Sequence, residues 1–80
     1  MNPNDIRAAA VAELQRIAPE VEDVVAAKPL RDQVDLDSMD WLNFLVALHE
    51  RFKVEIPEAD YARLVTLDDI VRYLAAKLGS

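Results

Sequence analysis

One hydroxyl stands out as a place for chemistry. Ser38 lies in the stretch Asp37-Ser38-Met39-Asp40, at the start of the longest apolar run free of glycine and proline. Asp37 suits a helix N-cap, and Asp40, three residues on, suits the acid of a capping box. Ser38 then falls in the first helical turn, where backbone N–H groups lack intrahelical partners and the macrodipole is positive. A phosphodiester formed at that hydroxyl would sit where an anion is tolerated. Asp-Ser before a helix is also a common capping pair with no other role, so the surrounding sequence has to decide.

Nothing near Ser38 could activate it. His49, the one histidine, comes eleven residues later, and at roughly 1.5 Å per helical residue it is more than about 10 Å away. A chain with one glycine and no cysteine builds neither a nucleophile elbow nor a phosphate-cradling glycine loop nor a Cys-based metal site. Asp35, Asp37 and Asp40 invite a calcium reading, but Met39 occupies a ligand position and no central glycine follows, so the EF-hand pattern fails. The chain reads as a non-enzyme without a metal.

The elements that must position Ser38 are helical. Asn2-Pro3-Asn4-Asp5 opens a helix, with Asn2 as cap and Pro3 at the first position, running over 3–18 until Pro19 stops it. Ile6, Ala10, Leu14 and Ile17 are its inward residues; Arg7, Glu13 and Arg16 read as its solvated face. A long connection, 19–37, follows, with a short helical turn expected around Val21–Val25 and Leu30, Val34 and Leu36 as apolar pegs. The second helix spans 38–52. At about 100° per residue, Trp41, Leu45, Leu48 and Phe52 share its core face, flanked by Phe44 and Leu42. Met39 and Val46 fall on another face with Asn43 and Glu50, beside Ser38, and two apolar residues there suggest a docking surface. Ile56-Pro57 breaks the chain before a short helix, 58–64, with Tyr61 and Leu64 inward. Thr66-Leu67-Asp68-Asp69 is a capping box for a last helix, 67–78, whose stripe is Leu67, Ile70, Val71, Leu74 and Leu78. The expected fold is all-α: a small four-helix bundle of three main helices plus one short one, in a single domain.

This succession resembles the acyl carrier protein family. Its bearers are Asp37-Ser38-Met39-Asp40, the helix Leu42 to Phe52, Val54-Glu55-Ile56-Pro57-Glu58, and Leu64-Val65-Thr66-Leu67-Asp68-Asp69-Ile70 leading to Tyr73-Leu74. The resemblance implies that Ser38 carries 4′-phosphopantetheine, added from coenzyme A by a phosphopantetheinyl transferase with Mg²⁺, with Asp37 beside the attachment point. The arm's thiol would hold acyl groups as thioesters for acyl-loading and acyl-processing enzymes, most simply in fatty acid or related lipid biosynthesis, on a monomeric carrier. Met39, Asp40, Trp41, Asn43, Val46 and Glu50 are the expected docking residues. Phe44, Leu48, Leu64 and Leu74 are candidates for an acyl pocket between facing helices. Asn43, His49 and Arg51 stand where the housekeeping carriers are strongly acidic, and Trp41 and Met39 are unusual, which implies a specialised member.

Composition fits that expectation and excludes others. Eighty residues make one domain, and 52% of them are hydrophobic, enough for a modest core. A net charge of −6 argues against a nucleic-acid backbone or an anionic membrane surface as partner, and favours basic docking surfaces. No stretch approaches about 18 apolar residues and the first residues lack a signal-peptide pattern, so no membrane insertion and a cytoplasmic location are expected.

Overall fold

The computed structural model describes residues 2–79. Its elements are α1 (Pro3–Ile17), α2 (Leu30–Gln33), α3 (Ser38–Phe52), a 3-10 helix (Glu58–Arg63) and α4 (Leu67–Leu78). Among the described residues the β pairing is an isolated bridge between Pro29 and Thr66. Among the described residues no helix is long and apolar enough to cross a membrane.

Each of the three long helices, α1, α3 and α4, starts where a side chain satisfies orphan N–H groups. Asn2 accepts from the Asp5 N–H at 2.9 Å, with Pro3 in the first turn. Thr66 and Asp69 cap α4 reciprocally: Thr66 Oγ1 accepts from the Asp69 N–H at 3.0 Å, and Asp69 Oδ2 accepts from the Thr66 N–H at 3.1 Å. Two helices, α3 and α4, end in left-handed residues. Gly79 closes α4 at φ 75°, and Lys53 closes α3 at φ 55°, where a side chain is disfavoured. His49 steadies that second turn, its Nδ1 lying 2.8 Å from the Val54 carbonyl oxygen.

The core is one cluster. Ile6, Leu14, Leu30, Phe44, Leu45, Leu48, Ile70 and Leu74 are fully buried at its centre. The pegs Leu30, Val34 and Leu36 do pin the long connection down. The short helix in that connection lies later than expected, over Leu30–Gln33, while Val21–Val25 run without helical structure. Pro29 presets the helix start at φ −56°, whereas three valines in five residues favour extended backbone. The Gln33 side chain then laces the turn, accepting from the Val25 N–H at 2.6 Å and donating to the Val25 and Lys28 carbonyls at 2.9 and 3.0 Å. Two further bonds strap the loop to α4 and its approach: Leu30 N–H to Val65 O, and Asp68 N–H to Ala26 O, each at 3.0 Å.

Five side chains sit otherwise than their spacing suggested. Phe44 has no exposed surface and belongs to the centre of the core, while Leu42 is exposed and Trp41 only half-buried. The buried arc of α3 is centred near Leu48, and Leu42 lies about 120° away from it. Leu78, at the end of α4, is exposed because the core ends before it. Glu13 is not on a solvated face: it is buried among Ala9, Ala10 and Leu14 on the packed side of α1.

Candidate functional site

The first turn of α3 divides its work between two neighbours. Asp37 is the cap: its Oδ1 accepts from the Asp40 N–H at 2.8 Å and its carbonyl from the Trp41 N–H at 2.9 Å. The reciprocal bond from the Asp37 N–H to the Asp40 side chain, present in the Thr66 box, is not formed here. Ser38 is the first helical residue, exposed, and its hydroxyl makes no hydrogen bond within the described residues. Capping therefore leaves that hydroxyl unused. It faces solvent at the positive end of a fifteen-residue helix, so a group added to its oxygen displaces no partner. An esterified phosphate with a flexible tail fits these conditions.

Beside Ser38 runs a row of exposed apolar side chains. Met39 is 64% exposed, Leu42 40% and Val46 41%. Their spacings of three and four residues set them in a single stripe. Met39 and Val46 were expected there; Leu42 completes the row. The signal was present in the sequence, since Leu42 is three residues from Met39 and four from Val46. Asn43 and Glu50 are exposed along the stripe's edge, and Asp40 is half-buried. Trp41 points elsewhere: its ring tilts against Phe44, with centroids 5.5 Å apart, and the Arg31 guanidinium lies 6.0 Å from its centroid.

Phe44, Leu48, Leu64 and Leu74 come together in the core, but as packed side chains. Phe44 and Leu48 are 0% exposed and Leu74 1%. Leu64 also reaches an open groove of about 320 Å³, with Pro29, Trp41, Tyr61, Ala62, Val65 and Arg31 around it. That groove joins the end of the long connection, the first turn of α3 and the 3-10 helix.

Tyr73 and Asp60 hold the 3-10 helix against α4: the Tyr73 hydroxyl donates to Asp60 Oδ2 at 2.7 Å. Burial, aided by that bond and the carboxylate's charge, pushes the Tyr73 phenol up to about 12. Asp69 is held below the usual carboxylate range, first by the Thr66 N–H and then by further bonds from Thr66 and Val65, against the opposing effect of burial.

Comparison with known proteins agrees with this geometry. The family model described as a phosphopantetheine attachment site matches residues 4–74. An acyl carrier protein of Campylobacter jejuni is 34% identical over 71 residues, covering 89% of this chain and 88% of its own length. One of Exiguobacterium is 30% identical, over 86% of this chain and 85% of its own. A solution structure from Anaplasma phagocytophilum, provisionally named an acyl carrier protein, superposes with a TM-score of 0.84 at 30% identity, over 96% of this chain and 92% of that one.

Proposed function

The chain belongs to the acyl carrier proteins, the family with a phosphopantetheine attachment site, and from that premise we propose that Ser38 is its attachment residue. One observation carries the assignment: Ser38 offers an exposed hydroxyl with no hydrogen-bond partner, while Asp37 does the capping. The protein is a carrier and not a catalyst, and its cofactor is covalently attached 4′-phosphopantetheine. The arm supplies a thiol that holds acyl groups as thioesters.

Ser38 Oγ is the acceptor when a phosphopantetheinyl transferase splits the pyrophosphate of coenzyme A with Mg²⁺. A bond forms from Oγ to the phosphorus bearing the pantetheine, the bond to the adenosine-side phosphate breaks, and the serine proton leaves to a base of the transferase. Asp37 holds the turn through its bond to the Asp40 N–H, and so aims the hydroxyl outward. The α3 N-terminus offsets part of the new negative charge, which lies among Asp35, Asp37 and Asp40.

Acyl carriers work with such a transferase and with acyl-loading and acyl-processing enzymes. Here the docking surface is the stripe Met39, Leu42 and Val46, with Asp40, Asn43 and Glu50 as its polar rim. Asn43, His49 and Arg51 thin the acidity of α3, which supports a specialised carrier relying on apolar contact more than on charge steering. The protein acts as a cytoplasmic monomer in fatty acid or related lipid biosynthesis.

The test is intact mass after incubation with coenzyme A, Mg²⁺ and a broad-specificity transferase. The wild type gains one phosphopantetheinyl group and Ser38→Ala gains none. No gain on folded wild-type protein would replace this reading by a helical interaction module that carries no arm.

A further inference from the structure

The groove beside Trp41 combines an apolar lining with one positive charge that no carboxylate among the described residues pairs. Trp41, Tyr61, Leu64 and Val65 form its walls and floor, about 320 Å³ in all, and Arg31 stands at its rim. The other five arginines are ion-paired: Arg7 with Asp68, Arg16 and Arg51 with Glu13, Arg63 with Asp60, Arg72 with Asp69. Arg31 is the one arginine without an ion pair among the described residues, in a protein of net charge −6. Its guanidinium lies 6.0 Å from the Trp41 ring centroid.

The backbone that presents Arg31 is fastened. Leu30, next to it, donates to the Val65 carbonyl at 3.0 Å, so the Arg31 rim and the Val65 wall are tied together. Gln33 laces the same turn. Trp41 follows Ser38 by three residues, so the groove opens about one helical turn from the attachment hydroxyl. An arm anchored at Ser38 has only to fold back over that turn to enter.

We propose that this groove is a cargo site for acyl groups that end in a carboxylate, the half-thioesters of dicarboxylic acids, with Arg31 as the carboxylate receptor. The proposal rests on Ser38 bearing the arm. A guanidinium beside an aromatic face keeps its edge N–H groups for a planar anion, and a carboxylate fits that fork bidentately. The methylenes between thioester and carboxylate would lie on Trp41 and Tyr61, whose rings already shape the walls. A methyl-ended chain fills the same walls but leaves the charge at the rim unmatched. The competing anion is the phosphodiester at Ser38 itself.

Transferase and the matching coenzyme A thioesters can load the full chain with a bare arm, a butyryl arm or a succinyl arm; the last two have the same carbon skeleton length and differ in ending on methyl or carboxylate. Intact mass confirms each form. Trp41, the single tryptophan, and the melting temperature then report the groove. The succinyl form should melt about 4–8 °C above the butyryl form, with its own Trp41 emission. The gap should shrink in high salt and vanish in Arg31→Gln, where loss of the Arg31–Trp41 contact shifts both loaded forms alike and leaves their difference as the readout. Equal behaviour of the two loaded forms, or a gap that survives Arg31→Gln, overturns the proposal. So does a Trp41 change that is complete with the bare arm, for then the phosphodiester has taken Arg31. Absence of any mass gain would instead sink the Ser38 assignment, and this proposal with it.

Discussion

Glu13 of α1 and Arg51 of α3 meet across the helix interface, Oε1 to Nη1 at 3.3 Å. Arg16 closes the other side, 3.2 Å from both carboxylate oxygens. Glu13 is 4% exposed and both arginines reach water, so the carboxylate is buried while its cations stay hydrated. Removing the carboxylate leaves no stranded buried charge, since the arginines can turn outward. Glu13→Ala should therefore cost about 1–3 kcal/mol, below the loss typical of breaking a fully buried pair. Glu13→Met, which fills the space with apolar atoms, should recover most of it. Urea midpoints, with an Arg51→Ala double-mutant cycle, measure both.

The first turn of α3 offers a clean separation of structure from function. Asp37→Ala removes a cap bond of 2.8 Å and should cost about 1 kcal/mol. Ser38→Ala removes an exposed hydroxyl with no partner and should change stability by no more than about 0.5 kcal/mol. A loss at Ser38 as large as at Asp37, by chemical denaturation, would mean that the serine is a structural group after all.

Leu42 and Phe44 are two residues apart and should respond in opposite ways. Leu42→Asp on the exposed stripe should alter stability by less than about 0.5 kcal/mol and weaken docking by about 1 kcal/mol or more. The transferase KM would then rise some five- to tenfold with kcat nearly unchanged. Phe44→Ala in the sealed core should cost about 3–5 kcal/mol. Steady-state transferase kinetics beside thermal melts separate the two.

The Tyr73–Asp60 bond makes stability depend on alkaline pH. The folded state favours the neutral phenol, raised from 10.0 to about 12. Its contribution is complete below the unfolded value of 10.0 and is lost as pH rises through about 12. Urea midpoints should fall across that window in the wild type. Tyr73→Phe should be less stable by about 1 kcal/mol at neutral pH and show a shallower fall. An identical alkaline slope in both proteins would rule the link out.

Much of this protein was legible in its residues because the informative signals are local. Caps, proline stops and helical periodicity act within a turn, so Asn2-Pro3, Asp37 and Thr66-Asp69 set where α1, α3 and α4 begin. The motif Asp37-Ser38-Met39-Asp40 is local too, and its chain neighbours carried the family resemblance. What periodicity cannot supply is the centre of each buried arc, which depends on where the partner helices lie. That is why Phe44 and Leu42, both expected to flank the core face, part company, one sealed and the other exposed. Glu13 was hidden for the same reason: its spacing from Ile6, Ala9 and Ala10 is that of a core residue, and beside the local Arg16 it takes a guanidinium from α3, thirty-eight residues on, to pair the carboxylate across the interface. The short helix of the long connection, and the groove it builds with Trp41 and Tyr61, depend on backbone bonds to Val65 and on the Gln33 lacing, between segments distant in sequence. Local energetics settled the helices and the place of Ser38 in the first turn of α3; long-range packing alone decided which side chains are sealed, which stay exposed, and where Arg31 stands.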